Sequence, residues 1–167
     1  MSRIIYGAKI QTSPTKEANY DGGRVIGKNS EVFHSGDPVT IASGLLLVAG
    51  TTDQVYGVVV ADATMAADNA TVAKIKPSVQ VPDQSYEFLM GTNADLSALS
   101  VGTYYKLTTA TTGAVQVDVT SGAQTTSNRV VECTKVDPNN EGGSGSGSGL
   151  RQGLFRFVKQ FNIESDN

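Results

Sequence analysis

The segments of this chain that favour regular structure are short, and nearly all of them favour β-strands. Residues 55–60 (VYGVVV) are β-branched and nearly continuous, as in a strand buried on both faces. Residues 114–119 (AVQVDV) alternate, with Val115, Val117 and Val119 on one face. Such runs recur roughly every 10–15 residues, with Gly, Asp, Asn and Pro between them. The further strand-like segments are residues 31–34, 38–43, 45–48, 71–76, 85–90, 103–107, 129–136 and 154–161.

Helical signals are almost absent. Only residues 93–99 (NADLSAL) favour a helix, and for barely two turns. A parallel sheet needs long crossover connections, usually helices, so antiparallel pairing is expected. The sequence therefore predicts an all-β fold, an antiparallel β-barrel or β-sandwich with an extended N-terminal arm and at most one short helix.

Two segments stand apart from the strand pattern. Residues 1–30 are polar and Gly-rich with weak strand signals, and we expect them to form the arm. Residues 139–149 (NNEGGSGSGSG) have the composition of a flexible linker, which fits either a natural hairpin loop or an engineered insertion. The expected organisation is an arm over 1–30 and one β-domain over 31–167, with a Gly/Ser-rich loop at 139–149.

Charge and hydropathy argue against several classes of partner. The net charge is −3, which does not favour binding to nucleic acid, and charged residues make up 17% of the chain against about 25% in an average protein. The longest apolar run, residues 45–49 (LLLVA), is far shorter than the roughly 20 residues of a membrane helix. The N-terminus lacks the apolar core of a signal peptide, so synthesis in a cytoplasm is expected.

Residues that could support catalysis are sparse. The single His34 lies beside a turn, and the single Cys133 lies in a strand-like run, where a buried structural cysteine is expected. Residues 22–29 match a phosphate-binding loop except for Asn29, which stands where a Ser or Thr is needed, and no helix is expected to follow. We therefore predict no enzyme, no catalytic or metal-binding residues, no cofactor and no small-molecule substrate.

The last strand-like segment carries apolar side chains on both faces. Phe155, Phe157 and Phe161 share one face, and Leu154 and Val158 lie on the other. Such a strand is either central in its sheet or covered by another subunit.

Four segments in order resemble the capsid decoration (cement) proteins of tailed bacteriophages. They are residues 36–41 (GDPVTI), 44–48 (GLLLV), 55–62 (VYGVVVAD) and 101–107 (VGTYYKL), and the likeness covers about residues 33–136. The resemblance implies a β-barrel or β-sandwich that assembles on the capsid exterior near threefold axes, often as a homotrimer. Its partner would be the major capsid protein, with no nucleic acid and no membrane involved.

A protein of this kind gains affinity by touching several capsid subunits at once, because later contacts form at high effective concentration. Extended arms suit such bridging, since their backbone can add strands to neighbouring sheets. We expect interface residues in the arm and the last strand: Ile4, Ile5, Tyr6, Arg24, Phe155, Phe157 and Phe161. Two alternatives stay open, another virion component such as a fibre base or tail protein, and a receptor- or carbohydrate-binding β-module, although the chain has no Trp to stack on sugars.

Overall fold

The computed structural model describes residues 9–12, 19–21, 25–81, 87–93, 99–110, 113, 115–136 and 152–159. Within these ranges the chain forms thirteen strands and two short helical turns, a π-type turn over Asn69–Ala73 and a 3₁₀ turn over Thr126–Asn128. The strands are β1 (Lys9–Thr12), β2 (Asn19–Asp21), β3 (Val32–Phe33), β4 (Pro38–Ala42), β5 (Leu45–Val48), β6 (Gly57–Val59), β7 (Ala63–Thr64), β8 (Val79–Val81), β9 (Glu87–Gly91), β10 (Tyr104–Thr109), β11 (Val115–Asp118), β12 (Val131–Val136) and β13 (Gln152–Phe157).

The strands pair into three antiparallel sheets, which confirms the all-β prediction. The largest sheet has the order β1-β9-β13-β12-β10-β11, and the second has the order β2-β8-β6-β4-β5. The third consists of β3 and β7 alone. The β4–β5 hairpin has a two-residue loop with both central residues at positive φ, Ser43 at 52° and Gly44 at 77°. This is the turn geometry that matches the right-handed twist of a hairpin.

The six-stranded sheet curls until β11 reaches the end of β9. Thr92 forms a parallel bridge with Val117, and the Asn93 N–H donates to the Val117 carbonyl at 3.1 Å. The Asn93 side chain reinforces this junction: its Oδ1 accepts the N–H of Val119 at 2.8 Å, and its Nδ2 donates to Asp118 Oδ1 at 2.8 Å. One Asn thus satisfies backbone groups where the curled sheet meets itself.

The apolar interior falls into two clusters. The first fills the curled sheet and includes Phe88, Tyr105, Phe155 and Phe157. The second lies between the five-stranded and two-stranded sheets and includes Phe33 of β3, Val39 of β4, Leu46 of β5, Val59 of β6 and Val79 of β8.

Strand β6 connects the two clusters, as its nearly continuous apolar sequence predicted. Val58 belongs to the first cluster and Val59 to the second, so the strand is buried on both faces. The first residue of this strand, Gly57, has to lack a side chain because the neighbouring β8 lies very close. A Cβ there would meet the Val79 side chain and would lie 2.6 Å from the Gln80 carbonyl oxygen.

Strand β13 lies between β9 and β12. The sequence left two explanations for its two apolar faces, a central strand or a face covered by another subunit, and the structure shows a central strand. The alternation predicted for residues 114–119 is confirmed in β11 and just beyond it, where Val115, Val117 and Val119 are all buried.

The predicted strand over residues 71–76 is wrong. Asn69–Ala73 forms a π-type turn, and the following Lys74 adopts the left-handed conformation with φ of 52°. The alternation of Val72, Lys74 and Lys76 has no sheet partner there, because the side chain of Asn69 occupies backbone groups that a strand would pair with a neighbour.

Parts of the segment expected to be an arm are strands of the chain's own sheets. Residues 9–12 form β1, which pairs with β9, and residues 19–21 form β2, which pairs with β8. The rest of 1–24, the centre of the predicted helix (94–98) and the Gly/Ser-rich segment 139–149 lie outside the described residues.

Candidate functional site

The turn that follows β3 contains the only histidine of the chain. Its backbone N–H donates to Asp37 Oδ2 at 2.8 Å, and His34 Nδ1 lies 3.3 Å from the same oxygen. The Ser35 hydroxyl donates to the Val60 carbonyl at 2.9 Å, and the Ser35 N–H donates to Asp62 Oδ1 at 2.7 Å. The Ser35 hydroxyl therefore points at a carbonyl oxygen. Because a carbonyl cannot act as a general base, this contact does not activate the hydroxyl as a nucleophile. These contacts tie the turn to the segment after β6.

Burial dominates the electrostatics of Asp37. The residue is 1% exposed, and removal of its carboxyl from water raises the pKa above the ordinary value, although hydrogen bonds from His34 and the charge of that ring act in the opposite direction. A buried carboxyl that accepts backbone N–H groups is well suited to hold a turn.

Cys133 is a buried strand cysteine, which confirms the sequence interpretation. It lies in β12 with no exposed surface, and burial raises the pKa of its thiol to about 11, with the charge of Glu132 acting in the same direction. A thiol protonated in this way is a weak nucleophile at neutral pH.

The described ranges contain neither a metal-binding cluster nor a membrane-spanning helix. No group of three or more His, Cys, Asp or Glu side chains is arranged to hold a metal ion there. No helix in the same ranges is long and apolar enough to cross a membrane.

The expected interface residues fall into two groups. Phe155 and Phe157 are each 1% exposed and pack in the first cluster, where Phe157 lies 5.1 Å from Phe88 and Phe155 meets Tyr105 edge-on at 6.5 Å between ring centroids. In this chain they are core residues and present almost no surface. The other five candidates lie outside the described residues: Ile4, Ile5, Tyr6, Arg24 and Phe161.

The surface that sequence reasoning missed is a loop over residues 70–76, which we call the 70–76 loop. Val72 is 70% exposed and Ile75 is 43% exposed, and they stand beside the exposed cations Lys74 and Lys76. The strand predicted over residues 71–76 would place Val72 and Ile75 on opposite faces, whereas the observed loop exposes both side chains. Single exposed apolar residues are ordinary, but a pair on one short loop is a candidate contact surface.

A buried asparagine fixes the shape of this loop. Asn69 has no exposed surface, and its Nδ2 donates to the carbonyls of Gly27 at 2.6 Å and Ile75 at 3.0 Å. Its Oδ1 accepts the Ile75 N–H at 2.8 Å. Asn29 adds a further bond by accepting the Ala70 N–H at 2.6 Å.

These bonds hold the base of the loop from several sides, so Val72 and Ile75 are presented on a fixed backbone. A partner that covers them gains apolar burial without first ordering the loop. The arrangement is suited to binding a protein surface.

Comparison of the chain with family models, with curated proteins and with solved structures gives no match in any of the three.

Proposed function

We propose that this chain is a structural virion protein that binds the outer surface of a phage capsid and stabilises the shell by bridging capsid subunits. The observation that carries the proposal is the 70–76 loop, which is held by hydrogen bonds and exposes two apolar side chains on a β-core that lacks disulfides among its described residues. The order of turn and strand motifs over residues 33–136 supports the same conclusion through its resemblance to decoration proteins.

The binding energy available from one loop suits a partner that offers several identical binding sites. Burial of one Val or Ile side chain contributes about 1.5–3 kcal/mol, which is too little for stable attachment by one copy. A homotrimer on a symmetric shell would place three such loops against identical sites, and each later contact would form at high effective concentration. The unplaced candidates Ile4, Ile5, Tyr6, Arg24 and Phe161 stay predicted contributors to the same interface.

Co-sedimentation with undecorated capsids tests the proposal. The capsids should be assembled from the shell protein encoded in the same genome, and the oligomeric state should be read by light scattering. We expect saturable binding at a fixed ratio to the shell protein and a trimeric mass in solution or on the shell. A wild-type chain that fails to sediment with these capsids overturns the capsid assignment.

Two matched variants test the loop. Val72→Glu should weaken capsid binding by about tenfold or more, because it replaces apolar burial with a charge that must be desolvated. Val101→Glu makes the same change at a residue of similar exposure (65%) outside the loop, and it should bind as the wild type does. Equal capsid binding by the two variants would mean that the loop is not part of the interface.

A third variant tests whether the shape of the loop matters. Asn69→Ala removes the bonds to Gly27 and Ile75 while leaving Val72 and Ile75 in place. We expect weaker capsid binding and faster hydrogen exchange at the Ile75 amide, whereas Thr71→Ala, which removes one exposed hydroxyl, should change neither.

A further inference from the structure

A second surface feature lies on the outer side of the curled sheet. It is a cleft of about 440 Å³ whose walls come from β10, the 3₁₀ turn, β12 and the end of β13. This volume falls in the range of small-ligand and peptide-side-chain pockets. Its charged side chains are Arg129, Glu132, Arg156 and Lys159.

One pair of these charges is already neutralised. Glu132 and Arg156 are opposite each other in the β12–β13 register. Both Nε and Nη2 of Arg156 contact Glu132 Oε2, at 2.7 and 2.6 Å. The pair braces the wall of the cleft and adds little net charge to it.

The other two cations have no carboxylate partner among the described residues. Lys159 Nζ donates to the carbonyls of Thr52 and Ser127, the latter at 3.0 Å. The guanidinium of Arg129 lies over the Tyr104 ring, 4.4 Å from its centroid, and makes no hydrogen bond or ion pair within the described ranges. The cleft therefore carries an uncompensated charge of about +2, on a chain whose net charge is −3.

Backbone strain occurs in the same wall. Thr126 begins the 3₁₀ turn with φ of 50°, in the left-handed region that a β-branched residue rarely adopts. The turn that starts at this residue brings the Ser127 carbonyl to Lys159 and so fixes the ammonium group in place. Strained backbone is typical of ligand-binding loops.

We propose that this cleft binds carboxylate side chains of an acidic segment in a partner protein. The Arg129 guanidinium, steadied by Tyr104, offers N–H donors that match a carboxylate, and the fixed Lys159 ammonium supplies the second charge. A sugar is a poorer fit because Arg129 occupies the face of Tyr104 on which a sugar would stack. Two cations are also too few for the phosphate tracking that nucleic-acid binding requires.

Fluorescence anisotropy with a labelled hexaglutamate peptide tests the cleft, with hexaglutamine as the uncharged control. We expect saturable binding of hexaglutamate only, and a weakening of about tenfold or more in Arg129→Gln, since one charge-assisted contact is lost. Arg129→Lys keeps the charge but loses the planar donor group, and it should bind with intermediate affinity.

Lys74→Gln is the matched control because it removes the same charge from an exposed position on the 70–76 loop. We expect it to change hexaglutamate affinity by less than about twofold. Equal losses in Lys74→Gln and Arg129→Gln would overturn the proposal in favour of unspecific attraction. Tighter binding of an oligonucleotide of equal charge would overturn it in favour of nucleic acid.

The inference is independent of the proposed capsid role. Hexaglutamate binding by a chain that ignores capsids would remove the capsid assignment and leave the cleft as an acidic-peptide site. Capsid binding without hexaglutamate binding would keep the capsid assignment and overturn the acidic-peptide site in the cleft.

Discussion

Gln152 is a polar residue buried in the interior. It lies at the start of β13 with 1% exposure, and neither its Nε2 nor its Oε1 has a hydrogen-bond partner among the described residues. Leaving such an amide buried costs about 1–3 kcal/mol. Gln152→Met keeps the unbranched shape and removes the polar atoms, so we expect the free energy of unfolding to rise by about 1–3 kcal/mol in urea denaturation.

The exposed Gln54 provides the control, because Gln54→Met changes the same atoms in water. We expect a change within about 0.5 kcal/mol there. If Gln152→Met destabilised the chain, the amide would have a partner that the described contacts lack.

The carboxyl of Asp37 makes a contribution to the free energy of unfolding that decreases as pH rises. Because burial raises its pKa in the folded chain, the folded state binds its proton more tightly than the unfolded state does. Its contribution is therefore fully present below the ordinary pKa of 3.8 and is lost as pH rises through the folded pKa. Asp37→Asn keeps an acceptor for the His34 N–H and should abolish this loss, which has a slope of at most about 1.4 kcal/mol per pH unit.

Asp118 provides a comparison of opposite sign. Burial alone would raise its pKa, but hydrogen bonds from Ser121 and Asn93 and the charge of Lys106 together lower it. The stability it contributes is present above the ordinary pKa and is lost as pH falls through the folded pKa.

Urea midpoints measured from pH 3 to 7 should show the gap between wild type and Asp37→Asn widening with pH in favour of the variant. For Asp118→Asn the gap should widen in favour of the wild type, and parallel curves for both variants would contradict the assignment.

At the scale of elements, strands were predictable where side-chain alternation and burial coincide. Val115, Val117 and Val119 show a clean period of two and are all buried, and the apolar run around β6 marks a strand enclosed on both faces. Residues 71–76 show a similar alternation but form no strand. There Asn69 bonds to the backbone of Ile75, six residues later, and also to the carbonyl of Gly27, 42 residues earlier, and the alternation pattern shows neither contact.

Pairing order and the candidate surfaces were less predictable for the same reason. Nothing in residues 115–118 indicates that β11 will meet Thr92 and close the curled sheet, because that junction depends on the twist accumulated over several strands. The cleft likewise combines residues from separate strands, and the stacking of Arg129 on Tyr104 appears only once β10 pairs with β12. The sequence showed the type of most elements, apart from residues 71–76, and missed the tertiary contacts between elements.

At the scale of the whole molecule, Cys133 reports whether the curled sheet opens as one unit. Its strand β12 is paired on both sides, by β10 and β13, and its backbone bonds to Gly102 and Thr103 as well. The thiol has no exposed surface and a pKa of about 11, so a disulfide reagent at pH 8 should react only after the sheet opens.

We expect Cys133 in the native chain to be labelled at least about a thousandfold more slowly than in the urea-unfolded chain, as set by the unfolding equilibrium. If opening is global, the logarithm of the labelling rate should rise with urea at the slope of the equilibrium transition. Gln152→Met should then slow labelling by the same factor by which it raises the unfolding constant. A much shallower urea slope would instead mean that β12 and β13 separate while the five-stranded sheet stays folded, so the two apolar clusters would be separate cooperative units despite their connection through β6.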